Sequence, residues 1–234
     1  MKVSILQPTY LPWPGYFALI KSSDLVVFLD DVQFEKQSWQ SRNRIINNQR
    51  EYLLSLPVRS SFGLSQKINQ MKLINPIETR LKHLESIRHS YARSPNFSVI
   101  FPLLEESYNK NHDYLVELNL DIICLFLNYL EISTDIRISS KLNVDGKRSI
   151  RLLNILNFVG SKNYLSPIGS RAYIENDGVL ANNGIEVLYN DFIDLPYPQL
   201  SKTFHPNMSI VDMLFNVPKT TVIKRLSEGV KLVQ

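Results

Sequence analysis

The first thirty residues constrain the fold more than any other part of the chain. Lys2–Leu6 is a short apolar run that reads as a strand and is cut off by Gln7 and Pro8. A proline-rich loop over residues 7–15 follows, then a short helix over 16–22 and a nearly all-apolar strand over 25–30. An apolar run bounded by turn signals suits a strand covered on both faces, as strands in parallel sheets are. Strand, loop, helix and strand in so short a span make a compact βαβ unit. The chain is therefore expected to be an α/β protein with a Rossmann-like, mostly parallel sheet.

Beyond that unit the pattern is mixed. Residues 31–50 are a polar stretch; 52–58 and 67–74 read as strands, the first ending at Pro57. Pro76 sits where a helix can begin, and helices are expected over 77–91, 96–109 and 112–132. A strand over 135–139 precedes an amphipathic helix over 149–159 that Gly160 closes. Short strands at 164–166 and 185–189 flank a turn-rich segment, and residues 209–216 and 220–230 read as helices. With no repeat and no low-complexity linker, the expectation is a single α/β domain over 1–234, with 76–132 as a helical insertion or lobe.

Composition narrows the function classes. Hydrophobic residues at 44% and charged residues at 21% exclude a disordered chain. The net charge of +4 and a pI near 9.0 favour anionic partners such as phosphates or nucleotides, but are too mild to imply nucleic-acid binding by themselves. Cys124, the single cysteine, excludes an internal disulfide and lies in an apolar run as a structural thiol. The N-terminal apolar run is too short for a signal peptide. The most hydrophobic segment, 114–132, is broken by Glu117, Asn119, Asp121 and Asn128, which suits a core helix and not a membrane span. A cytoplasmic protein is expected.

Three segments carry candidate chemistry. In the loop after the first strand, Pro8, Pro12 and Pro14 stiffen the backbone. There Gln7, Tyr10, Trp13 and Tyr16 offer a polar tip and planar faces on which a sugar or base can stack. Gly15 would let a ligand's phosphate or carboxylate approach the helix entry. The second segment holds Asp30 and Asp31 at the end of the second strand. One of them is expected to face the site, as a general base or as a partner for a hydroxyl; a local turn role is the alternative. Gln33 follows, and then Arg42, Asn43 and Arg44, whose guanidinium forks match phosphate oxygens and make the first choice for an anion clamp. The third segment supplies Ser166 and Arg171, with His205 farther on as a backup base. Ser209 and Asp212 fit a helix cap. The four histidines show no metal-ligand spacing, and no Walker loop, GxGxxG or GxSxG is present, so neither metal nor cofactor is called for.

These segments resemble the WbqC-like family. The resemblance runs from Gln7-Pro-x-Tyr-x-Pro-Trp-x-Gly-Tyr-Phe17 through Asp24, Leu29-Asp-Asp-Val-Gln-Phe34 and Trp39-x-x-Arg-Asn-Arg-Ile45 to Pro57-Val58. It continues at Tyr164-Leu-Ser166, Gly169, Arg171-x-Tyr173 and Ser209-Ile-x-Asp212. Two positions depart from the pattern: Leu6 stands where members often carry histidine, and Pro167 follows Ser166 where a glycine is expected. The family is associated with O-antigen and related polysaccharide gene clusters. That context, with the aromatic loop and the arginines, makes the leading reading a transferase that attaches an acyl or aminoacyl group to the amine of a nucleotide-linked amino sugar. The basic charge would tolerate an aminoacyl-tRNA donor. A fainter likeness to HIGH-type nucleotidylyltransferases, which lacks their paired histidines, keeps a nucleotidyl transferase as one alternative. A non-catalytic sugar-binding or assembly protein is the other.

Overall fold

The computed structural model describes residues 1–59 and 66–233. In chain order the elements are β1 (Lys2–Leu6), α1 (Pro14–Lys21), β2 (Leu25–Phe28), β3 (Arg42–Asn47), β4 (Arg50–Ser55), β5 (Val58–Arg59) and β6 (Lys72–Leu73). Three helices follow, α2 (Pro76–Tyr91), α3 (Phe97–Asn109) and α4 (Leu115–Tyr129). The chain then forms β7 (Asp135–Ile138), α5 (Arg148–Phe158), β8 (Asn163–Pro167), α6 (Arg171–Asp177), α7 (Val179–Asn182) and β9 (Glu186–Phe192). It ends with α8 (Ile210–Asn216), α9 (Lys219–Glu228) and β10 (Val230–Val233).

The central sheet has six strands in the order β10-β9-β8-β1-β2-β7. All its pairings are parallel except that of β10 with β9. The expected pairing of the first two strands is there, with Val3 opposite Leu25 and Leu6 opposite Phe28. Side chains alternate across the sheet as extended geometry requires. Val3, Ile5, Leu25 and Val27 face α5, α6 and α7, whereas Leu6, Val26 and Phe28 face α1 and the helical middle. The result is a Rossmann-like α/β fold in three layers. The chain runs outward from β1 through β2 to β7, then returns to β8 on the other side of β1. The order thus reverses between β1 and β8, and in open α/β sheets ligands bind outside the carboxyl ends at such a point.

Helices α2, α3 and α4 share their core with the sheet: Leu84, Ile87, Leu104 and Phe126 belong to the same buried cluster as Phe17 and Phe28. Three local expectations are corrected. The polar stretch 31–50 contains a strand, because β3 and β4 form a hairpin around Asn48 and Gln49, both with positive φ (49° and 64°). Two left-handed residues are what a tight hairpin turn with the strands' own twist requires. Residues 67–74 form a 3-10 turn, Ile68–Gln70, before the two-residue β6. The last helix stops at Gly229, and the alternating Val230–Val233 then adds an antiparallel edge strand.

One buried polar network ties the first loop to the helices. The Tyr10 hydroxyl lies 2.6 Å from His83 Nδ1 and also bonds the Tyr108 hydroxyl. Burial lowers the His83 pKa from 6.5 to about 4, so the ring is neutral at neutral pH and Nδ1 accepts from Tyr10. Because the folded value is depressed, the unfolded chain binds the extra proton between pH 6.5 and 4. Stability that is complete above pH 6.5 is therefore lost as pH falls through this window, by about 3 kcal/mol. Urea unfolding midpoints measured from pH 7 to 4 should fall accordingly. His83→Gln, which keeps an acceptor for Tyr10, should flatten that part of the slope; an equally steep slope in the variant assigns it to other groups.

Candidate functional site

The loop from β1 to α1 is held by amide side chains. Asn43 Nδ2 donates to the Tyr10 and Leu11 carbonyls at 3.1 and 2.8 Å. Asn119 Nδ2, from α4, donates to the carbonyls of Pro8 and Gln40. The Tyr10 N–H donates to the Trp39 carbonyl. Leu11 is kept at a φ of +44°, a conformation a leucine rarely adopts without such restraint. Trp13 then precedes α1, and its ring lies over Gly15, where a Cβ would come within 2.3 Å of the indole. The same ring meets Phe192 edge-on at 5.5 Å.

These constraints shape a cavity of about 350 Å³ lined by Thr9, Trp13, Tyr16, Trp39, Asn43, Arg44 and Asn207. Trp39 is 48% exposed, so one ring face is partly open to solvent. The Arg44 guanidinium lies 5.4 Å from the Trp39 ring centre and that of Arg42 lies 5.9 Å away, so both cations sit against the indole. Arg44 also bonds Glu51 at 2.8 Å. Glu51 in turn reaches His205 Nδ1 at 3.6 Å. Aromatic faces, one guanidinium and an amide thus converge on one concave surface, which suits a polar ring carrying an anionic group.

The structure brings together Trp13, Tyr16, Asn43 and Arg44, with Arg42 and His205 beside them. Tyr10 is fully buried, so the expectation that its ring stacks a ligand is corrected. Asn43 spends its side chain on the loop carbonyls and on the Arg44 N–H. Asp30 and Asp31 do not line this cavity. Asp30 accepts from Ser139, from the Ser140 N–H and hydroxyl, and from Asn69, tying the end of β2 to the turn after β7. Asp31 bonds Arg151 at 2.6 Å and also Ser139. The alternation expected to separate the two carboxylates lapses because β2 ends at Phe28.

Gln7 lines a second crevice, Gln33 is exposed, and Ser166 is fully buried. Arg171 bonds Glu175 and lies over Tyr189. The approach foreseen at Gly15 is filled by the Trp13 indole. Ser209 caps α8 as expected, accepting from the Val211 N–H. Asp212 does not complete a capping box: it is buried against Tyr91, Tyr197 and Gln199, and burial raises its pKa. Trp39, Glu51 and Asn207 were not singled out as site residues. The signal for Trp39 was its place just ahead of two arginines that share one face of a strand. Among the described residues no group of three or more His, Cys, Asp or Glu side chains is placed to hold a metal.

Asn43→Ala should strand two carbonyls and free the loop, lowering stability by about 2–3 kcal/mol at about 1 kcal/mol or more per lost bond. Chemical denaturation checks this. A loss below about 0.5 kcal/mol would show that the loop holds itself.

No solved structure matches the chain. It is 32% identical over 218 residues to the uncharacterized protein Rv1507c of Mycobacterium tuberculosis, covering 92% of this chain and 94% of that one. Among the described residues no helix is long and apolar enough to cross a membrane. The model of the WbqC-like protein family matches residues 7–224, which takes in four of the six sheet strands, β2, β7, β8 and β9, and every residue lining the aromatic cavity. The chain belongs to the WbqC-like family.

Proposed function

We propose that this protein is a transferase acting on a nucleotide-linked amino sugar in bacterial surface polysaccharide biosynthesis, moving an acyl or aminoacyl group onto the sugar amine. The observation that carries the reading is the aromatic cavity with a guanidinium on its wall. Trp13 and Trp39 offer rings for a sugar or base, and Arg44 offers a fork for phosphate. A donor such as an acyl thioester or an aminoacyl-tRNA supplies the carbonyl.

In this reading the amine nitrogen attacks the donor's carbonyl carbon, an amide bond forms, and the leaving group departs with its electron pair. The proton lost by the ammonium needs a base. His205 serves better than Asp30 or Asp31, since both carboxylates are committed to hydroxyl and arginine partners away from the cavity. His205 sits two residues before Asn207 on the cavity wall, with Glu51 against its Nδ1. Glu51 orients the ring, and Nε2, now 3.4 Å from the Thr203 hydroxyl, is the nitrogen that takes the proton.

The experiment is a panel of nucleotide amino sugars and acyl donors incubated with the protein and read by mass spectrometry. Calorimetric titration of the productive sugar then follows at fixed salt. Arg44→Ala should weaken binding by on the order of 1.5–3 kcal/mol, and Arg44→Lys should also weaken it, because a point charge cannot reproduce a planar fork. His205→Gln should lower kcat by about 10²–10⁴-fold with little change in KM. Unchanged affinity in both arginine variants would remove the phosphate clamp.

A further inference from the structure

A second crevice, of about 780 Å³, lies on the opposite side of the end of β1. The Tyr16 hydroxyl, on the wall of the aromatic cavity, donates to the Gln7 carbonyl, while Gln7 also lines this second space, its side-chain oxygen accepting from Gln40. Leu29, just past β2, lines it too, as do Arg148 and Arg151 on the first turn of α5 and Tyr173 on α6. Helix α6 follows β8 after a single 3-10 turn, Ile168–Ser170. The crevice therefore opens at the reversal of strand order between β1 and β8, where the fold itself leaves room for a ligand.

The charge in it is built in. Arg151 is only 8% exposed, a costly position for a cation. One terminal nitrogen bonds Asp31 at 2.6 Å, while its buried Nε has no hydrogen-bond partner. A buried guanidinium N–H left open is a donor waiting for an acceptor. Arg148 lines the same wall, with a φ of +50° and an exposed side chain. Both belong to the first turn of an eleven-residue helix whose dipole favours an anion. Two carboxylates, Glu35 and Asp177, share the rim with these arginines and keep their charge. Asp177 already accepts from the Ser149 hydroxyl and the Val179 N–H, and Glu35 is exposed to solvent. Leu29, Val32 and Leu152 give the crevice an apolar side beside its cationic one.

We propose that this crevice binds a phosphate-bearing nucleotide, with the phosphate against Arg148, Arg151 and the first turn of α5, and the base against Leu29, Val32, Leu152 and Tyr173. The inference stands apart from the reading of the aromatic cavity, and a transferase with both sites would hold its two substrates on either side of Gln7.

Isothermal titration of the full chain with UDP, ADP and inorganic phosphate at low salt tests it. Saturable binding of at least one nucleoside diphosphate is expected, at least tenfold tighter than that of phosphate. Arg148→Ala, an exposed substitution compatible with folding, should weaken that binding at least tenfold. Arg151→Lys, which preserves a cation for Asp31, should weaken it as well. Absence of nucleotide binding at millimolar concentration overturns the proposal. Equal affinity for phosphate and nucleotide also does so, by reducing the crevice to a simple anion site. Binding lost in Arg44→Ala and unaffected by Arg148→Ala places the nucleotide in the aromatic cavity and overturns it too.

Discussion

Two buried amides, Asn43 and Asn119, hold the geometry on which the rest of the molecule depends. The loop leaving β1 must descend into the protein, and its carbonyls at Pro8, Tyr10 and Leu11 leave water without a strand or helix to pair them. Asn43 and Asn119 supply the missing donors from β3 and α4. A buried carbonyl without a partner costs free energy on the scale of a lost hydrogen bond, so these contacts decide whether the loop can be buried at all. Once it is, Tyr10 enters the helical interior, Trp13 is set at the head of α1, and the hairpin of β3 and β4 is fixed beside both. The sheet, the helical middle and the hairpin are joined through one short stretch of chain.

This dependence explains what could be read in the sequence. The pairing of β1 with β2, the three central helices and α5 followed from apolar runs and periodicity, because burial on one or both faces is written locally. The aromatic cavity was half legible: Trp13, Tyr16 and Arg44 meet there because their elements are neighbours. Asp30 was misread because an aspartate at the end of a strand carries the same local signal whether it meets a substrate or a serine. Its partners Ser139 and Ser140 lie 109 and 110 residues away, and nothing near Asp30 announces them. Tyr10 went astray for a similar reason. A tyrosine in a stiff loop can point either way, and the choice was made by His83 and Tyr108, on two helices far along the chain. The turn at Asn48 and Gln49 was hidden because polar residues on β3 disguised a strand as a linker.

The two concave spaces show how the fold divides labour between the sheet's faces. On one, aromatic rings from the first loop and the hairpin make a wall suited to stacking, and the nearest cation is partly neutralised by Glu51. On the other, arginines sit at a helix head with an apolar flank. Gln7, one residue past the end of β1, lines the second space and accepts from the Tyr16 hydroxyl on the wall of the first.

Trp13 and Phe192 meet edge to face, and each ring rests on a glycine: Gly15 beneath the indole and Gly229 beneath the phenyl, where an added Cβ would come within 2.4 Å of Phe192. Gly229 lies between α9 and the edge strand β10, at the far end of the chain from Gly15. The two rings are thus gripped between the chain's beginning and its close, like leaves in a binding. Drift at any one of these four positions is felt by the other three, so they should vary as a set among relatives, and the last strand, which supplies no candidate chemical group of its own, backs the aromatic wall through Phe192.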